Sequence, residues 1–310
     1  MKTANAVLVN SGAQERAPKS PARDTLQRLF RNRSAVVGMS ILGSLILIAI
    51  FAPVIATHDP TQVLIGIEKV KKRTPPCIHL LGCPPEQPQH FFGVDGNVRD
   101  FFSRVVYGSR YSLFIGFTAI GFAIVVGSLL GAAAGYAGGR VDDAIMRVMD
   151  VLLAFPALLL AIAIVSVLGP GLVNALLAIG VVAIPTYARV MRASVLSVKG
   201  MDFVLASYSI GASPAQILFR RILPNSITPV VVQGTLGVAT AILDAAALSF
   251  LGLGAQPPTP EWGSMLGAER NQVFTAPHLV FLPGLAIMVT VLGFNLFGDG
   301  LRDALDPRLR

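Results

Sequence analysis

Long apolar runs alternate with polar segments along the chain, and their lengths predict the architecture. A helix needs about 20 apolar residues to cross the hydrocarbon core of a membrane. Six runs therefore predict membrane-spanning helices, at residues 35–56, 112–136, 148–168, 172–188, 227–253 and 279–297. The first run is too long for the apolar core of a cleaved signal peptide, so we expect it to be retained as a span.

The polar segments divide the chain around these spans. We expect a tail at 1–33, the first span within 34–57, a proline-rich lobe at 58–110, a core of five spans at 111–298 and a tail at 299–310. The predicted fold class is an all-α polytopic membrane protein. Within the core, residues 199–225 form the longest loop on the side of the two termini.

Composition supports a membrane protein and excludes other classes. Hydrophobic residues make up 53% of the chain and charged residues 14%, against about 25% charged residues in soluble domains. A disordered chain and a disulfide-dense secreted module are excluded. The formal net charge of +8 predicts no nucleic-acid partner, because cytoplasmic loops of membrane proteins concentrate Lys and Arg. Most of the 25 Lys and Arg residues lie on the cytoplasmic side if both termini do, which predicts that orientation.

The loop at 199–225 carries signals for a rigid helix–turn–helix elbow. Gly211 is suited to the position that follows a first short helix over 202–210. Ser213 then caps a second helix, with Pro214 at its first position and Gln216 completing a capping box. From the residues alone, a moving lever and an ordinary amphipathic connector both remain open.

The predicted lobe contains both cysteines of the chain, Cys77 and Cys83. An extracytoplasmic compartment is oxidising, so we predict a structural disulfide that stabilises the lobe by about 2–3 kcal/mol. Two alternatives remain open. In the first, Cys77, His79 and Cys83 are metal ligands, although a fourth ligand at a usual spacing is missing. In the second, both thiols are free and buried.

Inside the fifth span, Asp244 is a candidate functional residue because ionisable groups are costly in a membrane. It either lines a pathway through the bundle or a gate, or it accepts a structural hydrogen bond from a neighbouring helix. Few other charges lie at membrane depth, and we see no repeated halves, which disfavours an ion-coupled secondary transporter. The sequence has no G-x-x-x-x-G-K-[ST] phosphate loop and no catalytic cluster, so any ATP chemistry requires another chain.

Several motifs carry a resemblance to a known family. The loop resembles the "EAA" loop of ABC-importer permeases through the Ala206-Ser207 pair, Gly211 and the Ile222-Leu223-Pro224 end, whereas Leu205 replaces the usual Glu. Stretches at 93–113, 246–254, 256–266 and 298–308 are similar to the C-type permease subunit of dipeptide, oligopeptide and nickel importers. The resemblance assigns ATPase coupling to Leu205, Ala206, Ser207, Gly211, Ala212, Ser213, Pro214, Gln216, Ile222, Leu223 and Pro224.

This resemblance implies the type I ABC importer permease fold in a cytoplasmic (inner) membrane. It implies a heterodimer with a homologous permease, two cytoplasmic ATPases that bind ATP and Mg, and an extracytoplasmic substrate-binding protein. No catalytic residue, cofactor or metal is expected in this chain itself. The expected solute is a di- or oligopeptide, with nickel and oligosaccharides as alternatives.

Overall fold

The computed structural model describes residues 21–305, with side chains from residue 26 onward. The predicted tails fall partly outside this range, at 1–20 and 306–310. The α-helices are α1 (Pro21–Arg31), α2 (Arg33–Ile55), α3 (Phe101–Ala137), α4 (Gly139–Leu153), α5 (Ala157–Leu168), α6 (Leu172–Lys199), α7 (Asp202–Ser209), α8 (Pro214–Ile217), α9 (Leu223–Ser226), α10 (Thr228–Phe250), α11 (Trp262–Glu269) and α12 (His278–Leu305). Residues 21–305 contain no β-strand, only three isolated bridges.

Five of these helices are long and apolar enough to cross a membrane: α2, α3, α6, α10 and α12. The helices α4 and α5 form a sixth span if the bent pair crosses as one unit. The sequence predicts one straight span at 148–168, but the axis bends by 90° between these two helices. Pro156 lies at the break, where it precedes the first residue of α5, and proline cannot donate the hydrogen bond that a continuous helix needs.

Three boundaries differ from those predicted by hydropathy. Helix α3 begins at Phe101, within the stretch assigned to the lobe at 58–110. Its first turns contain polar residues that are buried against the rest of the protein, among them Ser103 and Arg104, so an apolar count misses them. Helices α6 and α12 likewise continue to Lys199 and Leu305, beyond the predicted ends of their spans at 188 and 297.

The centre of the molecule is the close packing of α3 against α6. A Cβ atom built on Gly131 would lie 2.2 Å from the Ala188 carbonyl oxygen, and one on Gly127 would lie 2.7 Å from the Ile184 carbonyl oxygen. Glycine is therefore required for the backbones to approach this closely. Gly121 of the same helix has no such role, because nothing lies within 4 Å of its hypothetical Cβ.

Residues 57–100 form the lobe between α2 and α3, which contains one short 3₁₀ turn. Beside an apolar cluster, its interior contains a buried group of paired charges. The Asp95 carboxylate accepts a hydrogen bond from Arg99 Nε at 2.8 Å and lies 3.4 Å from Arg104 Nε. All three side chains are buried. Arg73 Nε also donates to Glu269 at 2.8 Å, which joins the lobe to the end of α11.

Candidate coupling elbow and transport cleft

The elbow is the segment from Asp202 to Ser226 that connects α6 to α10. Its first helix, α7, ends in a Schellman motif. The Ala212 N–H donates to the Ser207 carbonyl at 3.1 Å, and the Gly211 N–H donates to the Tyr208 carbonyl at 3.0 Å. Gly211 has a φ of +77°, the left-handed conformation that this motif places on glycine. The predicted stop of the first helix is therefore present in the structure.

The second half of the elbow begins at the predicted cap. The Ser213 hydroxyl accepts a hydrogen bond from the Gln216 N–H at 3.3 Å, and Pro214 occupies the first turn of α8. Among the described residues, the Gln216 side chain makes no return bond to Ser213, so only half of the predicted capping box forms. A π-helical turn over Leu218–Ile222 then leads into α9, which contains Pro224.

The elbow has one face buried against the bundle and another that is exposed. Val204, Ile217 and Ile222 are completely buried. Apolar side chains also lie on the exposed face, and they are Leu205, Tyr208, Ile210 and Phe219. Phe219 is 63% exposed, so it lies on the exposed face although it is three residues before the buried Ile222. Exposed apolar patches of this kind mark interaction surfaces.

Tyr136, at the end of α3, attaches the elbow to the bundle. Its hydroxyl donates to the Pro214 carbonyl at 3.0 Å and lies 3.5 Å from the Tyr208 hydroxyl. Lys199 Nζ donates to the Tyr136 carbonyl at 2.8 Å. Sequence reasoning missed this residue, because a tyrosine at the end of an apolar run carries no signal of its distant partners.

A cleft of about 180 Å³ lies among α3, the bent pair α4–α5, α6 and α10. Asp244 lines it, together with Thr240 and Gln233 of the same helix and Thr186 of α6. The Asp244 side chain is partly buried and makes no hydrogen bond or ion pair with another described residue. The alternative in which it accepts a structural hydrogen bond from a neighbouring helix therefore finds no donor among residues 26–305.

Two ion pairs tie α4 to α6 beside the cleft. Arg192 binds the Asp142 carboxylate through two nitrogens, and Arg189 NH2 lies 2.6 Å from Asp150. The bidentate pair constrains orientation as well as distance. Asp142 and Asp150 are thus paired with arginines rather than directed into the cleft.

The 246–266 stretch forms a tight corner between α10 and α11. The Trp262 indole N–H donates to the Val105 carbonyl at 2.9 Å, and the Glu261 carboxylate caps α11 by accepting from the Gly263 and Ser264 N–H groups. Burial raises the pKa of the Glu261 carboxyl, although these hydrogen bonds oppose the shift. These matched residues therefore have structural roles in this chain.

The structure joins Cys77 to Cys83 by a disulfide, with their Cα atoms 5.4 Å apart. Both sulfurs are therefore unavailable for the alternative metal site with His79. The His79 ring Nε2 instead lies 2.8 Å from the Gln87 carbonyl oxygen. Cys77 also forms a β-bridge with His90, so the disulfide holds that histidine in place.

A bundle of apolar helices, a bent helix pair and an elbow with an exposed apolar face are the features of a membrane permease. The family described as "Binding-protein-dependent transport system inner membrane component" matches residues 111–310, and "N-terminal TM domain of oligopeptide transport permease C" matches residues 20–76. The chain therefore belongs to the binding-protein-dependent inner-membrane permeases, and the family predicted from the sequence is confirmed.

Named relatives cover nearly the whole chain. The dipeptide transport system permease protein DppC of Alkalihalophilus pseudofirmus is 48% identical over 94% of this chain and 91% of that protein. The di/tripeptide permease DppC of Pseudomonas aeruginosa is 44% identical over 94% and 93%. The glutathione permease GsiD of Escherichia coli is 44% identical over 94% and 92%.

A solved structure supports the fold independently. A chain of the MetNI methionine ABC transporter superposes with a TM-score of 0.55 at 19% identity, covering 66% of this chain and 97% of that one. The likeness shows that the bundle has the type I ABC importer permease fold. The predicted fold class is therefore confirmed.

Proposed function

We propose that this chain is a transmembrane subunit of an ATP-driven importer of di- or oligopeptides. The most similar relatives described above are named as dipeptide, di/tripeptide and glutathione permeases, which supports a peptide rather than nickel or an oligosaccharide. A homologous permease completes the pathway, and two ATPases bind the ATP and Mg. Both termini face the cytoplasm, and the lobe meets the substrate-binding protein outside.

The elbow is the docking surface for an ATPase. The observation that supports this role is that one face of the elbow is buried in the bundle while the other remains exposed. One face is anchored in the bundle through Ile217 and Ile222, while Leu205 and Ile210 remain exposed at 54% and 81%. The elbow is continuous with α6 and α10, both of which line the cleft. A displacement of the elbow by a partner therefore reaches the pathway directly. Because Leu205 replaces the family's usual Glu, contact through apolar surface replaces a salt bridge here.

The cleft beside Asp244 is part of the solute pathway. An unpaired carboxylate at membrane depth needs a compensating group, and the ammonium terminus of a peptide supplies one in transit. Asp244 would then contribute to selection of peptides over neutral oligosaccharides.

The docking role is tested by Ile210→Asp in the full complex. A charge on this exposed position should reduce recovery of the ATPases with the permease and should reduce ATP-dependent uptake of a labelled dipeptide into proteoliposomes by at least tenfold. Leu80→Asp is the matched control for ATPase recovery, because Leu80 is 96% exposed but lies in the lobe, at the other end of α3 from the elbow. Equal ATPase recovery with the two variants would contradict the proposed docking surface.

The solute and the cleft are tested with the same proteoliposomes. Uptake of labelled dipeptide should be inhibited by unlabelled dipeptide but not by nickel ions or an oligosaccharide. Asp244→Asn should assemble normally and lose most of the uptake, whereas Thr240→Val, on the same wall, should retain most of it. Normal dipeptide uptake by Asp244→Asn would exclude this residue from the pathway.

A further inference from the structure

Two histidines and two carboxylates meet where the lobe joins α2 and α3. His58 follows the end of α2, Asp100 caps the start of α3, and Glu68 and His90 belong to the lobe. The two imidazole rings lie with their centroids 5.0 Å apart, tilted by 33°. His90 and Asp100 are almost completely buried, and the His58 and Glu68 side chains are each 22% exposed.

Asp100 faces the Nδ1 atoms of both rings, and Glu68 faces their Nε2 atoms. Asp100 Oδ1 lies 2.7 Å from His90 Nδ1 and 3.8 Å from His58 Nδ1. Glu68 Oε1 lies 3.2 Å from His58 Nε2, and its Oε2 lies 3.0 Å from His90 Nε2. Three of these contacts are within hydrogen-bond distance, whereas His58 Nδ1 has the Thr57 hydroxyl as its nearer partner, at 2.9 Å. Two neutral imidazoles offer only two N–H groups for the three contacts, so the cluster requires either one additional proton or a divalent cation.

We infer that His58, His90 and Asp100 form a binding site for a zinc-type divalent cation, with His58 Nδ1, His90 Nδ1 and Asp100 Oδ1 as ligands. These three ligand atoms lie within 4.8 Å of one another. Zinc bonds of about 2.0–2.1 Å in a tetrahedral site place ligand atoms about 3.3 Å apart, and the spacings to Asp100 lie on either side of that value. The fourth position is left for water.

The surroundings supply the outer contacts that such ligands need. Coordination through Nδ1 leaves Nε2–H on both rings, and Glu68 offers one oxygen to each, as in a carboxylate–histidine–zinc arrangement. The second oxygen of Asp100 accepts from the Ser103 N–H at 2.8 Å and from the Ser103 hydroxyl at 2.6 Å. Although burial by itself would raise the pKa of Asp100, hydrogen bonds with His90 and Ser103 hold it below its usual value.

The site is also independent of the cysteines and has an entry path. Cys77 and Cys83 are joined to each other, so the donors are nitrogen and oxygen, a set that suits Zn²⁺. The exposed part of His58 provides access from solvent. A bound cation would cross-link the ends of the first two spans through the lobe, and it would fix the entrance of the bundle.

The test uses the full chain in lipid nanodiscs, purified without a histidine tag and stripped with a chelator. After addition of ZnCl₂ and removal of free metal, mass spectrometry of elements should find one zinc per chain. X-ray absorption should show only nitrogen and oxygen neighbours. His58→Gln removes a ligand, so it should weaken binding by more than about 100-fold, the upper end for loss of an outer contact, and abolish the zinc-dependent rise in unfolding temperature.

His79→Gln is the matched control, because His79 belongs to the same lobe but contacts the Gln87 carbonyl rather than the cluster. Glu68→Gln is a second variant that keeps all three ligands and should weaken binding less than His58→Gln. Equal zinc affinity of wild type and His58→Gln, or an equal loss in His79→Gln, would overturn the site. The absence of bound zinc in the wild-type chain would also overturn it and would assign the cluster to protons alone.

Discussion

The two ends of α3 differ in how they are held, although one helix connects them. At its start, Asp95, Arg99 and Arg104 form a buried charged group, and a disulfide closes the neighbouring loop. At its end, Tyr136 contacts the elbow through a few hydrogen bonds, and large apolar side chains of the elbow remain exposed. A helix of 37 residues separates the two ends by about 55 Å at 1.5 Å per residue.

This contrast indicates different mechanical roles. Buried and paired charges tolerate little displacement, because each loses its compensation when the partner moves. The lobe end is therefore suited to holding a fixed shape. Short helices with an exposed apolar face have few contacts to lose, so the elbow end is suited to move with a partner that covers it.

The largest loss of stability is expected at the end of α3 that adjoins the lobe. Asp95→Ala leaves Arg99 and Arg104 buried without their carboxylate and should lower the free energy of unfolding by about 3–5 kcal/mol. Thermal unfolding followed by the fluorescence of Trp262, the single tryptophan of the chain, measures the change. Glu86→Ala, an exposed acidic position in the same lobe, should change little. A small loss of unfolding free energy in both variants would show that the buried charges do not stabilise this end of α3.

A smaller loss is expected where α3 crosses α6. Gly131→Ala places a methyl group against the Ala188 backbone and should cost about 1–3 kcal/mol of stability. The matched variant is Gly121→Ala on the same helix, where the added Cβ meets open space. It should change stability by less than about 1 kcal/mol. If the two variants unfold alike, close packing of α3 and α6 is not a source of stability.

Removal of the Tyr136 hydroxyl should lower stability modestly, and only around the elbow. Tyr136→Phe loses the hydrogen bond to the Pro214 carbonyl, worth about 0.5–1.5 kcal/mol, and should loosen the elbow without changing unfolding at the lobe. A cysteine introduced by Ser207→Cys, at a buried position of α7, provides a unique thiol, whose labelling rate should increase in the Tyr136→Phe background. An unchanged rate would show that this bond does not restrain the elbow.

The smallest effect on stability is expected on the exposed face of the elbow. Leu205→Ala should change the free energy of unfolding by less than about 0.5 kcal/mol, as surface substitutions usually do. It should nevertheless reduce ATPase recovery with the permease. This separation of stability from partner binding is the opposite of the behaviour expected at Asp95. A stability loss comparable to that of Asp95→Ala would remove the distinction between the two ends.

Much of the fold and part of the elbow could be predicted from local signals. Apolar run length locates the spans because the hydrocarbon core fixes how many apolar residues are needed. Gly211, Ser213 and Pro214 predict the turn because their effects act within one helical turn. An apolar count misses the start of α3, because its first turns are polar and buried by the rest of the protein, and the Asp100 cap is the local signal that marks this start.

The contacts of Tyr136 with the elbow and the contact between His58 and His90 could not be predicted from the sequence either. These contacts join residues that are distant in sequence, and no spacing rule connects them. The bend between α4 and α5 has a local cause at Pro156, yet a proline inside an apolar run predicts either a tolerated kink or a break. Packing of the surrounding helices decides between the two.

By itself, the sequence determined the class of protein, the number and approximate positions of the apolar helices, the caps of the elbow and the family motifs. These features depend on composition and on interactions within a few residues. Only the tertiary structure decided which charges are paired, that Asp244 faces a cleft without a partner, and that four separate residues of the lobe junction form one cluster. Such arrangements depend on how distant segments pack, because burial and the distance between charged groups are properties of the folded chain.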